Sequence, residues 1–129
     1  MPAIPEFHVN VDQRERLRVV EVEGEVDVFT APQLGAAVDD EDNFDQLILD
    51  LTKVPFMSSV GLGLISRLHR HLARRTTSLA LVGVQGDVLR LLEVTGLLEV
   101  MLVADDVDEA IELLAEEDSD DEHGMRPWA

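Results

Sequence analysis

Ser58 and Ser59 are the two side chains whose type and position best suit a chemical role in this chain. They follow an apolar run and Pro55, at the point where a helical pattern begins. A helix start leaves backbone N–H groups without partners and carries a partial positive charge, so a phosphate or a docked acidic group is stabilised there. The same serines would also act simply as helix caps, and the residues alone leave both roles open.

Arrangements typical of catalysis or of metal binding are missing from the sequence. Gly-x-Ser-x-Gly is absent, and the four histidines, at positions 8, 69, 71 and 123, lack metal-ligand spacing. Zero cysteines exclude disulfides and thiolate chemistry. Gly61 and Gly63 resemble part of a dinucleotide fingerprint, but Ser66 replaces its third glycine, and close helix packing explains them better. We expect no catalytic residue, metal, cofactor or enzymatic activity.

The elements that position the two serines are a buried strand and a long helix. Residues 47–51 form a nearly continuous apolar run, which predicts a parallel strand covered on both faces. The helix is predicted from the serines to Arg75. Leu62 lies off its apolar stripe and is expected to be partly in water. The residues of the stripe, all expected to face the core, are Val60, Gly61, Leu64, Ile65, Leu68 and Leu72.

The rest of the chain predicts an α/β domain of the order β-β-α-β-α-β-α-β-α. The sheet should be mostly parallel, with an antiparallel first strand over residues 7–11 joined to the second by a polar turn over 12–16. The last strand is predicted over 100–103. Helix boundaries are assigned to a capping box at Thr30 and Gln33, a cap at Asp87, a left-handed Gly96, and a second capping pair at Asp106 and Glu109.

Composition and charge limit the possible partners and the domain organisation. The chain has 129 residues and a net charge of −17, which argues against nucleic-acid binding. No apolar run is long enough to cross a bilayer and no signal-peptide pattern is present, so we expect a cytoplasmic protein with no membrane contact. One domain over residues 7–116 is predicted, between an N-terminal tail over 1–6 and an acidic, disordered tail over 117–129.

Two segments resemble the STAS domain, and specifically the bacterial anti-sigma factor antagonists. The first, over residues 24–34, reads Gly-Glu-Val-Asp-Val-Phe-Thr-Ala-Pro-Gln-Leu. The second, over residues 49–63, reads Leu-Asp-Leu-Thr-Lys-Val-Pro-Phe-Met-Ser-Ser-Val-Gly-Leu-Gly. With the order of strands and helices, the resemblance covers roughly residues 7–116.

The resemblance implies a non-enzymatic protein that binds an anti-sigma factor, commonly a serine kinase, and thereby frees a sigma factor. In the family, phosphorylation of a serine or threonine just before the helix-start glycine turns the antagonist off. Val60 occupies that position here, so either Ser59 or Ser58 is phosphorylated instead, or the antagonist is constitutive. The partner-binding residues that the resemblance implies, with Leu62 as anchor, are Asp27, Thr30, Ser58, Ser59, Val60, Gly61 and Leu62.

Alternative functions come from other classes. The spacing between Asp50 and Met57 resembles the one that follows the phosphorylated aspartate in receiver domains. A receiver also needs an acidic pair at the end of its first strand and a Lys after a later strand. Here Asp12 has no acidic neighbour, and Gly83 stands where the Lys is needed. A small-molecule-binding STAS module would need a pocket. A weak homodimer also stays open.

Overall fold

Five strands form one sheet whose spatial order follows the chain order, β1-β2-β3-β4-β5. A computed structural model describes the backbone of residues 6–122 and the side chains of residues 6–117. β1 pairs antiparallel with β2, and all other pairs are parallel. This confirms the predicted fold class and order of elements. The strands are β1 His8–Arg14, β2 Leu17–Glu23, β3 Gln46–Lys53, β4 Ser78–Val82 and β5 Leu102–Ala104.

The helices cover the two faces of the sheet unequally. Three pack on one face and α4 alone packs on the other. In β3, Leu47, Leu49 and Leu51 face the three-helix side and Ile48 faces α4, so this strand is covered on both faces as predicted. The helices are α1 Ala31–Ala36, α2 Ser59–Arg74, α3 Gly86–Val94 and α4 Val107–Glu122, with 3-10 turns at Glu41–Asn43 and Leu97–Glu99.

The predicted apolar stripe of α2 is right in its centre and wrong at Val60. Gly61, Ile65, Leu68 and Leu72 are buried, and Leu64 is half-buried. The Val60 residue is 42% exposed. At about 100° per residue, Val60 lies roughly 110° from the centre of the buried set and therefore points away from the sheet. Leu62 is half-buried and packs against the core, which agrees with partial exposure.

The capping predictions divide between those that the structure confirms and those that are wrong. Ser58 caps α2, accepting from the Val60 amide at 3.2 Å. Gly96 is left-handed, with φ 79°, and Asp106 accepts from the Glu109 amide at 2.8 Å. The capping box at Thr30 is wrong, because the hydroxyl bonds to the preceding loop instead of the helix.

Three further boundaries differ from prediction. The predicted cap at Asp87 is wrong, because Asp87 lies inside the first turn of α3. The residue at the N-cap position is Gln85, and its side chain makes no capping hydrogen bond. β1 continues through Arg14, beyond the predicted end of the first strand at residue 11. The turn between β1 and β2 therefore has only residues 15 and 16, and it is this tight because Glu15 adopts a left-handed φ of 55°. The last strand begins at Leu102, since residues 97–100 form a turn that directs Val100 away from the sheet.

The helix α4 extends beyond the predicted domain boundary. It continues through Glu122, so residues 117–122, predicted to be disordered, are helical. Ser78 at the start of β4 donates to a carboxylate oxygen of Glu117 at 3.2 Å, and glutamate favours helix, which together explain the extension. The rest of the predicted tail, 123–129, and most of the N-terminal tail, 1–5, lie outside the described residues.

The acidic loop before β3 is bound to cations at the amino ends of the strands. Asp40 pairs with Arg18, and Asp45 pairs with Arg16 at 2.8 Å. Glu41 lies 2.8 Å from the His71 ring, and Asp42 pairs with Arg75 of the α2 end. Arg75 is therefore engaged in ion pairs with this loop. Among residues 6–122, no helix has the length and apolar character needed to span a bilayer.

Candidate functional site

Two loops at the carboxyl ends of β2 and β3 are joined by backbone bonds. Val26 and Met57 form an isolated parallel bridge. The Val26 amide donates to the Phe56 carbonyl at 3.1 Å, and the Ser58 amide donates to the Val26 carbonyl at 2.9 Å. The start of α2 is thus fixed to the loop that follows β2, and the two segments that carry the family resemblance lie side by side.

The loop after β2 is shaped by Asp27 and Thr30. One Asp27 carboxylate oxygen accepts from the amides of Phe29 and Thr30 at 2.9 and 3.1 Å. The Thr30 hydroxyl accepts from the Asp27 amide at 2.9 Å and donates to the Glu25 carbonyl at 2.8 Å. Both side chains are half-buried. Their polar atoms stabilise a tight turn, so these residues position the intervening Val28 and Phe29.

Ser58 and Ser59 differ in accessibility. The Ser58 hydroxyl is half-buried and engaged as the helix cap. Ser59 is exposed and is the first residue of α2, which has no acidic residue in its first turn. Of the two serines that the sequence singled out, Ser59 is therefore the more accessible to an enzyme or a partner, and a negative charge there would face the positive end of the helix.

Gly61 allows the helix start to lie directly on the bridge. A Cβ atom at this position would be 2.7 Å from both the Met57 Cγ and the Val26 Cγ1 atoms, and 3.1 Å from the Val26 carbonyl oxygen. Gly63 is different, because the nearest atom to its Cβ position is an Arg67 nitrogen at 3.7 Å. The close-packing interpretation of the glycines is thus confirmed at Gly61 alone.

Four apolar side chains around this helix start are exposed, and we call them the apolar loop patch. Phe29 is 87% exposed and Val28 is 59% exposed. Phe56 and Val60 follow at 44% and 42%. The exposure of Val28, Phe29 and Phe56 was not predicted from the sequence, although an adjacent Val-Phe pair in a short polar loop is a signal for exposed apolar side chains. Large exposed apolar groups that lie together on a surface are typical of a protein-binding site.

Metal and small-molecule sites have less support in the structure. The described residues contain no group of three or more His, Cys, Asp or Glu side chains placed to hold a metal ion. An open depression on the outer face of β1 and β2 is lined mainly by polar groups, which differs from the enclosed apolar pockets typical of ligand sites. The lining residues are His8, Val9, Asn10, Glu21 and Glu23.

The receiver-like alternative does not fit the geometry. Receiver domains have a parallel sheet in the order 2-1-3-4-5, whereas this sheet has sequential order and an antiparallel edge strand. The carboxylate of Asp50, the residue that a receiver would phosphorylate, accepts from the Thr52 amide at 3.0 Å and from its hydroxyl at 2.6 Å. The fold therefore excludes that class.

The class of protein follows from this fold and from its match to a family model. The STAS domain model matches residues 8–110, and the chain belongs to the STAS domain family. Within the family, the chain is 30% identical to the anti-sigma-B factor antagonist of Staphylococcus aureus over 99 residues, 75% of this chain and 92% of the relative. It is 35% identical to the anti-sigma-B factor antagonist of Listeria monocytogenes over 82 residues, 62% of this chain and 72% of that protein.

Solved structures give the same fold. The anti-sigma factor antagonist from Mycobacterium paratuberculosis superposes with a TM-score of 0.75 at 29% identity, covering 84% of this chain and 93% of that one. The unphosphorylated antagonist SpoIIAA superposes with a TM-score of 0.71 at 22% identity, covering 86% and 97%. The second match supports the fold alone.

Proposed function

We propose that this protein is an anti-sigma factor antagonist without enzymatic activity, which regulates transcription by partner switching. It binds an anti-sigma factor of the serine-kinase type and thereby releases a sigma factor. The observation that carries the proposal is the apolar loop patch beside Ser59, held on a frame of backbone bonds. The relatives named anti-sigma-B factor antagonists support an anti-sigma factor as the partner.

Binding is assigned to the apolar side chains of the patch instead of to Leu62. Phe29 projects from a turn that Asp27 and Thr30 stabilise, so little conformational entropy is lost when a partner covers its ring. Aromatic side chains of this kind are common energetic anchors of interfaces. Leu62 is half-buried against the core and offers a partner less surface.

Control of the interaction depends on whether a side chain at the start of α2 can be phosphorylated. Val60 has no hydroxyl and adds apolar surface at the position where the family resemblance expects the phosphate acceptor. We propose that binding is constitutive and is decided by competition between the antagonist and the sigma factor for the anti-sigma factor. An advantage of about 1.4 kcal/mol shifts such a competition tenfold. Phosphorylation at Ser59, or less readily at Ser58, is the alternative form of control.

The test measures binding of purified antagonist to kinase-fold anti-sigma factors from the same genome, with calorimetry and a sigma-release assay. Phe29→Asp should weaken binding at least about 30-fold, the effect of losing an interface hot spot. Val94→Asp is the matched control, because Val94 is 77% exposed and lies at the other end of the sheet. Failure of the wild type to bind any of these proteins or to release sigma factor would exclude the proposed function.

A further inference from the structure

Three arginines on the outer side of α2 form no ion pair with any residue whose side chain the structure describes. Arg67, Arg70 and Arg74 are exposed, and their spacing along the helix places them in one row. At about 100° per residue, the centre of this row lies roughly 160° from the centre of the buried side of the helix. We call these three residues the arginine row, and it lies on the solvent-facing side of α2.

The cations elsewhere in the described chain are paired with acidic groups or stand apart from one another. Arg75, at the end of the same helix, pairs with Glu41 and Asp42 of the acidic loop. Three further arginines near the turn between β1 and β2 form the pairs Arg14–Asp12, Arg16–Asp45 and Arg18–Asp40. Lys53 and Arg90 are exposed and unpaired among the described residues, but they belong to different elements, β3 and α3. In a chain with 27 acidic and 10 basic residues, the arginine row is thus a local concentration of free positive charge.

The arginine row continues the apolar loop patch along the helix. Val60 of the patch and Arg67 are seven residues apart, so they lie on the same side of α2. Gly63 lies between them, and the Arg67 Nη1 atom is 3.7 Å from the position that a Gly63 Cβ atom would occupy. The Arg67 guanidinium thus folds back towards the helix start, where Gly63 has no side chain to displace it. A partner that covers the patch and extends along α2 meets Arg67 first.

The patch and the row together have the layout of a protein–protein interface. The apolar part, around the start of α2, includes Phe29 and Val60, which are 87% and 42% exposed. From Val60 to Arg74 the helix rises about 21 Å at about 1.5 Å per residue, which is within the width of an interface that buries about 800 Å² on each partner. Interfaces of this size combine an apolar core with a polar rim, and they are enriched in arginine. The arginine row lies where such a rim would be.

We propose that the arginine row forms the rim of the anti-sigma factor interface and pairs with an acidic surface of that partner. This inference rests on the proposed function. Guanidinium groups bind carboxylates through two parallel hydrogen bonds, so the row suits the side chains of Asp and Glu. Exposed charge pairs at a rim contribute more to the rate and orientation of association than to affinity. The row therefore orients the antagonist so that the apolar loop patch meets the anti-sigma factor.

The charge of the rest of the chain favours a protein over other anionic partners. A net charge of −17 repels an extended polyanion such as a nucleic-acid duplex or an acidic membrane. An acidic group on a protein is local, and at physiological salt charges further away than about 8 Å are largely screened from it. The exposed apolar side chains beside the row fit the same class of partner, because a phosphate backbone offers them no apolar contact.

Association kinetics of the full chain with the kinase-fold anti-sigma factor that it binds test the proposal. Reversal of two charges, Arg67→Glu with Arg70→Glu, should lower the association rate constant at least about tenfold at about 50 mM salt, because complementary charges steer association. The loss should shrink to less than about threefold at about 0.5 M salt, where the Debye length is only about 4 Å. The dissociation rate constant should change less than the association rate constant.

Two further double variants make the result specific to the row. Arg14→Glu with Arg90→Glu changes the net charge by the same amount at exposed sites on β1 and α3, and it should leave the association rate constant within about threefold of wild type. Arg67→Lys with Arg70→Lys keeps both charges and should keep most of the association rate. Far-UV circular dichroism verifies that each variant is folded.

The inference is wrong if the two double charge reversals slow association equally, since net charge then sets the rate. It is also wrong if Arg67→Glu with Arg70→Glu leaves the rate unchanged or raises it, because the row then lies outside the interface or faces a basic surface. These results leave the proposed function intact. Wild type that sediments with vesicles of equal phosphatidylserine and phosphatidylcholine, when the row variant does not, would assign the row to a membrane instead. Wild type that binds no anti-sigma factor overturns the proposed function, and this inference with it.

Discussion

The amide of Ser58 donates to the carbonyl oxygen of Val26 over 2.9 Å. Through this bond the residue that caps α2 is fixed to the loop that presents Phe29. Two segments separated by some thirty residues in sequence thereby form one surface. The arrangement gives the exposed apolar side chains a defined geometry before any partner arrives, which lowers the entropy cost of binding.

The packing of α2 on the Val26–Met57 bridge predicts opposite effects for two glycines in the same helix. Gly61→Ala should lower the free energy of unfolding by about 1–3 kcal/mol, because its Cβ overlaps the Val26 and Met57 side chains. Gly63→Ala should raise it by about 0.5–1 kcal/mol, since alanine favours helix and meets no close atom. Urea denaturation measures both. Equal changes in the two variants would contradict the close contact at Gly61.

Phe29 and Leu62 should separate binding from stability. Phe29→Ala is expected to weaken anti-sigma factor binding while changing the free energy of unfolding by less than about 0.5 kcal/mol, because the residue is 87% exposed. Leu62→Ala should lower the free energy of unfolding by about 1 kcal/mol, since its side chain packs against the core. Thermal melts and calorimetry on the same samples test this. If Leu62→Ala lost binding while keeping the wild-type free energy of unfolding, Leu62 would be the binding anchor after all.

We expect that phosphorylation does not control binding of the wild-type protein, because Val60 has no hydroxyl to accept a phosphate. Val60→Ser places a hydroxyl at the exposed position where the family resemblance expects the acceptor. We predict that the kinase partner phosphorylates Val60→Ser and leaves the wild type unmodified, as read by mass spectrometry after incubation with ATP. Ser59→Ala in the Val60→Ser background is the control for modification of the neighbour. A wild-type phosphopeptide containing modified Ser59 would show that the switch has moved instead of disappeared.

Much of this fold could be predicted because its signals are local. The buried strand over 47–51 is a continuous apolar run, and the capping pair at Asp106 and Glu109 lies within one turn. The error at Val60 has a physical cause. A helical wheel gives the angles between residues, but the edges of the buried stripe depend on how the helix is rotated against the sheet. The close contact at Gly61 fixes that rotation.

The candidate site was predictable in position but not in chemistry. The sequence placed Ser58 at the helix start, and the structure confirms that cap. The exposure of Phe29 and Phe56 depends on the bridge between Val26 and Met57, which joins distant segments and leaves no periodic pattern in the sequence. The capping box at Thr30 was wrong for the same reason, because its hydroxyl is used by a tertiary turn.

The pair between Asp40 and Arg18 should make part of the stability depend on acid pH. Arg18 is 7% exposed, lies 4.8 Å from the centroid of the Phe44 ring, and donates from Nη2 to the second Asp40 carboxylate oxygen at 2.8 Å. The hydrogen bond and charge of Arg18 hold the pKa of the Asp40 carboxyl well below its usual range. The folded state therefore binds that proton less readily than the unfolded chain does.

Because the folded pKa is lowered, the stabilisation is present above the unfolded value of about 4 and is lost as pH falls towards the folded value. Asp40→Asn should lower the free energy of unfolding by about 1 kcal/mol at neutral pH, a modest value for a pair with one partly exposed partner. The difference from wild type should shrink below about pH 4. Asp39→Asn is the matched control for the direct pair, because Asp39 acts on Arg18 through its charge and forms no ion pair among the described residues, so it should show a smaller pH-dependent difference. A wild-type advantage that persists unchanged at pH 2 to 3, measured by urea denaturation, would mean that the Asp40 charge is not its source.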